Sequence, residues 1–194
     1  MTLTGKKIGF GITASFCTLP DIIRPLQELV TAGADVYPIV SSEVYANSSR
    51  FHDKDQFLGQ LSEITGKDVI GTIATAEPLG PKTPVDIMVI APATGNTMAK
   101  MAHGIWDTPV LMAAKATLRN GAPVLVAMFT NDALGMNGEN IMKLYNTKNV
   151  YFVPFGQDDP IAKPTSMAAD LGQLAESVLC ALEGRQIQPA LVRG

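Results

Sequence analysis

Residues 86–104, DIMVIAPATGNTMAKMAHG, decide the expected fold. The first six residues form an apolar run without period-two alternation, which is typical of a parallel strand covered by helices on both faces. Small and polar residues follow at 92–97, and residues 98–102 are predicted to be the first turns of a helix that ends near Gly104. We therefore predict a strand, a tight turn and a helix. Such a turn presents hydroxyl, amide and backbone N–H groups at the carboxyl edge of a sheet, where an anion can bind. An ordinary connecting loop is the alternative.

Strand and helix patterns alternate along the rest of the chain. Further strands are predicted at 8–12, 35–40, 69–73, 123–128 and 150–154, and further helices at 53–64, 109–119, 137–147 and 167–182. The first helix is predicted to begin at Asp21 with Pro25 in its first turn, or at Thr18 with a kink at Pro25. This alternation predicts an α/β fold: a doubly wound parallel sheet in three layers, with a ligand crevice at the carboxyl ends of the strands. We expect one domain over residues 1–194, with residues 186–194 as a C-terminal tail that reaches a neighbouring subunit or is disordered.

Composition excludes several classes of protein. The chain has 15 Lys and Arg against 18 Asp and Glu, so a net charge of −3 gives no support for nucleic-acid binding. No apolar run approaches the roughly 20 residues that span a bilayer, and the first residues lack the apolar core of a signal peptide, so we expect a cytoplasmic protein with no membrane partner. The two cysteines form no Cys/His cluster, which argues against a metal site. Nine methionines suggest apolar surface that another subunit covers, and hence a homo-oligomer.

The first predicted turn, after residues 8–12, is suited to a single phosphate. Gly11, Thr13, Ala14 and Ser15 supply backbone N–H and hydroxyl donors there. GxGxxG is absent, so an independently bound NAD is not expected. The alternative is that the two hydroxyls only cap the following helix. Ser41 places another short hydroxyl side chain where the second strand ends.

The segment APATGNTMAKMAHGI, residues 91–105, resembles a motif of the flavoprotein family. This family includes FMN-dependent phosphopantothenoylcysteine decarboxylase and, more distantly, flavin prenyltransferases. The resemblance implies a Rossmann-like flavoprotein fold with FMN as cofactor, and it implies that the first turn holds the flavin phosphate. It also implies a flavin site lined by Ser41, Ala93, Thr94, Asn96 and Thr97.

The decarboxylase resemblance extends to one catalytic position and fails at another. APVLVAMFTN, residues 122–131, matches the family segment CPVLVAPAMN, so Asn131 stands where the family has a substrate-handling asparagine. A turn role for Asn131 is the alternative. The family's catalytic histidine lies shortly before the central strand, where this chain has no histidine, and neither His52 nor His103 matches it. This absence weakens the case for decarboxylation.

Four further segments resemble one branch of the family from spore-forming bacteria: residues 9–17, 77–82, 109–137 and 151–158. In that branch the chain is one of two subunits, and together they oxidise a dihydrodipicolinate-type precursor to dipicolinic acid, a small dicarboxylate, during sporulation. The resemblance implies a separate A subunit, with NAD(P) expected on that subunit, in the mother-cell cytoplasm. The alternatives are a stand-alone FMN-dependent decarboxylase or prenyltransferase, and a non-catalytic flavoprotein-like binding subunit.

Other side chains have a functional and a structural interpretation. Cys17, after the first turn, is either a reactive thiol or a packed side chain, and Cys180 is expected in the core. Lys115 and Arg119 share a helical face and contact either a dicarboxylate or solvent. Phe129 and Trp106 are candidates to flank a planar ring, although core packing is the more common role.

Overall fold

One sheet organises the chain in a computed structural model that describes residues 2–80 and 82–192. Within those ranges the strand order is β2-β1-β3-β4-β7-β6, and β5 pairs with the first half of β4. The strands are β1 (Lys7–Ile12), β2 (Asp35–Val40), β3 (Ile87–Ala93), β4 (Val124–Thr130), β5 (Val150–Phe152), β6 (Phe155–Gln157) and β7 (Met167–Ala169).

The predicted central strand lies in the middle of this sheet. All seven residues of β3 are buried, and β3 pairs in parallel with β1 on one side and β4 on the other. The continuous apolar run is explained by helices on both faces, since neither face is left for polar side chains. The doubly wound α/β fold class is thereby confirmed. Two short antiparallel strands, β6 and β7, extend the parallel sheet beyond β4.

Eight α-helices lie in the described part of the chain. They are α1 (Ile23–Thr31), α2 (Ser42–Ala46), α3 (Lys54–Thr65), α4 (Ile73–Ala76), α5 (Gly95–Ala102), α6 (Pro109–Arg119), α7 (Gly138–Tyr145) and α8 (Leu174–Leu182), with 3-10 helices at Phe16–Ile22, Glu77–Leu79 and Leu171–Gln173. Short polar side chains fix several starts: Asp53, Thr94 and Thr108 each accept a hydrogen bond from an amide of the first turn.

The core divides into two layers of side chains, one on each face of the sheet. Leu26, Leu61 and Val178, from α1, α3 and α8, belong to one cluster of buried residues. Met98 and Leu111, from α5 and α6, belong to the other. These clusters confirm the three-layer arrangement of helix, sheet and helix.

Several predicted boundaries are wrong. Residues 69–73 form no strand: Ile70 makes a single bridge to Ile39, and α4 begins at Ile73. Residues 167–169 form β7, so the last α-helix begins at Leu174 rather than at 167. Consequently residues 150–154 are not the last strand. The element after the first turn is a 3-10 helix, and α1 begins at Ile23 with neither Asp21 nor Thr18 as its cap.

The end of the chain packs along β5 and β6 as far as it is described. The Gln186 side chain donates to the Phe152 carbonyl at 2.7 Å and accepts from the Phe152 amide at 2.8 Å. Leu191 forms a bridge with Phe155. The predicted tail also includes Arg193 and Gly194, which lie outside the described residues. Among the helices that the structure describes, none is long and apolar enough to cross a membrane.

Candidate functional site

A cavity of about 670 Å³ lies where the carboxyl ends of β1, β3 and β4 meet. Its fourth wall is the connection between β6 and β7. This volume is within the range of about 300 to 1,000 Å³ that is usual for small-molecule and cofactor sites. The crevice expected at the edge of a doubly wound sheet is therefore present at its predicted place.

The first turn is tied to the central turn by one buried threonine. Thr13 is 2% exposed, and its hydroxyl donates to the Pro92 carbonyl at 2.7 Å while accepting from the Thr94 amide at 3.0 Å. Ala14 and Ser15 continue along the cavity wall, and the Ser15 and Thr18 hydroxyls share a hydrogen bond at 3.0 Å. Thr13 thus holds the two turns together, and the residues beside it face the cavity.

The central turn presents the start of α5 to the cavity. The Thr94 side chain accepts from the Thr97 amide at 3.3 Å, whereas the amides of Gly95 and Asn96 have no carbonyl partner inside the helix because they belong to its first turn. The exposed Asn96 side chain has no hydrogen-bond partner within the described residues. The wall therefore offers backbone and amide donors to a ligand.

A cluster of polar side chains lies against Gly95. The Thr130 hydroxyl donates to one oxygen of Asp132, and the Asn137 side chain donates to the other at 2.7 Å. Asn140 donates to the Asn137 side chain at 3.1 Å. A Cβ on Gly95 would lie 2.6 Å from the Asn137 nitrogen and 2.7 Å from the Thr130 oxygen. Only glycine allows this cluster to approach the helix start so closely.

The connection between β6 and β7 brings charge to the cavity. Lys163 pairs with Asp158 at 3.1 Å. Burial opposes ionisation of Asp158, but Ser166 and the Lys163 ammonium outweigh it and lower the pKa of Asp158 below its usual range. The same pairing raises the pKa of Lys163. The lysine is therefore a cation and the aspartate an anion at neutral pH.

The structure separates the predicted site residues into two groups. Ala14, Ser15, Thr94, Asn96 and Asn131 line the cavity. The remaining five are not among its lining residues: Gly11, Thr13, Ser41, Ala93 and Thr97.

Gly11 and Ser41 illustrate how residues of this second group are used. A Cβ on Gly11 would lie 2.5 Å from Met88 and 2.8 Å from Val110, so this glycine admits the packing of the opposite layer. The Ser41 side chain caps α2 by accepting from the Val44 amide. Gly11 and Ser41 are therefore used for packing and for helix capping inside the protein.

Several lining residues were missed by sequence reasoning. They are Phe16, Thr18, Phe51, Gly95, Thr130, Asp132, Asn137, Asp158, Lys163, Ser166, Met167 and Ala168. The polar run at 130–137 was a usable signal, because it follows a strand end. Residues 158–168 carried no such signal. The helix predicted over 167–182 included the residues of β7, so the hairpin of β6 and β7 was not recognised.

Some of the other candidates line the cavity and others do not. Cys17 is exposed and lines it, as does Phe129, whereas Cys180 is half-buried in α8 and Trp106 packs against the second cluster of buried residues. No histidine is among the described lining residues. The His52 ring stacks on Phe16 and its Nδ1 is 2.8 Å from the Ser49 hydroxyl.

Metal ligands are not gathered at this site. Within residues 2–80 and 82–192, no three His, Cys, Asp or Glu side chains are grouped so as to hold a metal ion. The polar groups of the cavity are mainly hydroxyls and amides, together with the Lys163–Asp158 ion pair and the Asp132 carboxylate.

The family model described as Flavoprotein matches residues 1–178. The chain belongs to the Flavoprotein family. It is 50% identical over 191 residues to the B subunit of dipicolinate synthase from Bacillus subtilis (strain 168), a match that covers 98% of this chain and 96% of that protein. A crystal structure of the dipicolinate synthase B subunit from Bacillus halodurans is 48% identical and has a TM-score of 0.92, with 100% of this chain and 99% of that one covered. These relatives confirm the resemblance inferred from the four sequence segments.

More distant flavoproteins share the fold. A dodecameric FMN-dependent UbiX-like decarboxylase from Escherichia coli O157:H7 is 19% identical, with a TM-score of 0.61, over 76% of this chain and 79% of that one. At this identity the likeness concerns the architecture alone.

Proposed function

We propose that this chain is the B-type subunit of a dipicolinate synthase, that it binds FMN, and that it acts with an A subunit to oxidise dihydrodipicolinate to dipicolinic acid. The observation that carries the proposal is the cavity at the ends of β1, β3 and β4, lined by five of the residues predicted for it. The 50% identity to the dipicolinate synthase B subunit over nearly the whole chain supports the choice of reaction.

The residues of the cavity fit a flavin mononucleotide. Ser15 and the amides at the start of α5 are donors suited to the phosphate. Phe16 and Phe129 are half-buried aromatic side chains that suit a planar ring, and Asn96 and Asn131 offer amides to its polar edge. A bound flavin would supply a hydride acceptor for aromatisation of the substrate ring.

The overall reaction removes a hydride and a proton from the dihydro ring and leaves two carboxylates unchanged. The work of this chain is to hold the ring against the acceptor, to bind the carboxylates and to exclude water. Asn131 is our candidate for contact with the substrate: its side chain is exposed beside the cavity, and its carbonyl is fixed by the Thr165 hydroxyl at 2.6 Å.

In the proposed assembly, copies of this single-domain chain carry FMN and form a homo-oligomer. A separate A subunit carries NAD(P). Exposed apolar side chains support contacts with other subunits: Met136 is 89% exposed and Ile161 is 95% exposed. A stand-alone decarboxylase is less well supported, because no histidine is among the described lining residues of the cavity.

Spectral titration with FMN tests this proposal. We expect bound flavin to give a perturbed band near about 450 nm, and we expect Asn96→Ala to weaken binding about tenfold because the side chain loses its contact with the ligand. Asn146→Ala is the matched control, since within the described residues that side chain bonds only to the Met142 carbonyl in the last turn of α7. Absence of binding at micromolar FMN would remove the flavin from the proposal and favour a non-catalytic role.

A further inference from the structure

The connection between β6 and β7, residues 158–166, is fixed to the wall of the cavity. The Thr165 hydroxyl donates to the Asn131 carbonyl at 2.6 Å, and the Leu134 amide donates to the Thr165 carbonyl at 3.1 Å. Inside the connection, the amides of Lys163 and Ser166 donate to the Asp159 and Lys163 carbonyls at 2.9 and 3.0 Å. The backbone at Lys163 is therefore held in a defined position beside the cavity.

The cavity has more negative than positive charge. Its described lining residues include two carboxylates, Asp132 and Asp158, and Lys163 is the only cation among them. Asp132 accepts from the neutral side chains of Thr130 and Asn137. A dianionic ligand entering this cavity is repelled by both carboxylates unless a cation is directed at it.

The Lys163 side chain is able to exchange partners. Its only ion pair in the described chain is with Asp158, and the two side chains are 59% and 29% exposed. Ion pairs with this exposure contribute little to stability, so exchange for another carboxylate is inexpensive. The ammonium also has three donors on a flexible stem, which lets it bind a ligand while keeping one contact to Asp158.

We propose that Lys163 is a specificity-determining residue that binds one carboxylate of a small dicarboxylate substrate, with Asp158 as its counter-ion when the cavity holds none. This inference rests on the proposed function for the identity of the substrate. It assigns recognition of the second negative charge to a lysine outside the family motifs, and it leaves Asn96 and Asn131 as neutral donors for the rest of the ligand.

Calorimetric titration with pyridine-2,6-dicarboxylate and with pyridine-2-carboxylate tests the inference. We measure the full chain with and without FMN, so that dicarboxylate binding is scored independently of flavin binding. In Lys163→Met we expect the dissociation constant for the dicarboxylate to rise about tenfold, equivalent to about 1.4 kcal/mol, and that for the monocarboxylate to change much less. FMN affinity is measured separately in the same variant, so that a change in flavin binding is distinguished from a change in dicarboxylate binding.

Three further variants sharpen the result. Lys163→Arg should recover most of the affinity, and Asp158→Asn should strengthen dicarboxylate binding because the lysine loses its competitor. Lys148→Met, at an exposed lysine that does not line the cavity, is the matched control and should bind both ligands as before. In the complex with the A subunit, Lys163→Met should raise KM for the dihydro substrate more than it lowers kcat.

Two results separate failure of the inference from failure of the proposed function. If Lys163→Met binds the dicarboxylate within about twofold of the unmodified chain, about 0.4 kcal/mol, the assignment of Lys163 is overturned while the function stands. If the unmodified chain binds FMN but neither pyridine carboxylate, both the assignment and the substrate of the proposed function fall.

Discussion

Gly95 connects the chemistry of the cavity to the geometry of its wall. It is the first residue of α5, and its missing side chain makes room for Thr130, Asp132 and Asn137, whose polar atoms all lie within 3.0 Å of the position a Cβ would take. The sequence motif alone does not disclose this role, because the three partners are about 35 to 42 residues away along the chain. One glycine thereby sets how closely the end of β4 approaches the helix.

Replacing Gly95 with alanine should displace this cluster. We expect Gly95→Ala to bind FMN at least about tenfold more weakly, because the added Cβ forces Asn137 or Thr130 away from the wall. Gly59→Ala is the control: that glycine is exposed in α3 with open space around it, and alanine there should stabilise the fold by about 0.5 to 1 kcal/mol. Thermal unfolding and FMN titration of both variants measure these effects. A Gly95→Ala protein with unchanged FMN affinity would contradict this role of the glycine.

At the scale of elements, Thr13 joins β1 to the turn between β3 and α5. Thr13→Val keeps the side-chain shape but removes the acceptor of the part-buried Thr94 amide, so we expect a loss of about 1 kcal/mol in the free energy of unfolding. FMN affinity should fall as well, because the same turn carries Gly95 and Asn96. Urea denaturation and FMN titration measure the two effects.

The control for Thr13 is a buried threonine that supports no turn. Thr117→Val removes a hydroxyl that donates only to the Ala113 carbonyl within α6 at 2.8 Å. It should leave FMN binding unchanged. Equal effects of the two substitutions on flavin binding would show that the tie between the turns is irrelevant to the site.

The elements that the sequence predicted well are those whose signal is local. The apolar run of β3 and the Pro109 start of α6 are each encoded within a few residues. The start of α5 was predicted three residues too late, at 98, because Thr94 caps the helix and Gly95 is its first residue. The hairpin β6–β7 was missed because its strands are three residues long and are specified by pairing with β4 and with each other. Lys163 was missed with it, since nothing near it in the sequence marks its approach to the cavity.

At the scale of the whole molecule, one edge of a doubly wound sheet gathers the residues on which the proposed function depends. Parallel strands end at the same edge, so turns far apart in the sequence become the walls of one cavity. The antiparallel hairpin then adds a wall that the parallel strands do not provide. This arrangement explains why a chain with no GxGxxG motif still presents donors suited to a phosphorylated ligand.

Anaerobic mixing of the FMN-loaded chain and the proposed A subunit with dihydrodipicolinate, with no added nicotinamide, tests the proposed redox role of this chain most sharply. We follow the flavin band near about 450 nm and the dipicolinate formed. We expect the band to bleach in proportion to dipicolinate, with one equivalent of product for each flavin reduced. Dipicolinate formation with an unbleached flavin band, or formation only when nicotinamide is added, would contradict a redox role for this chain.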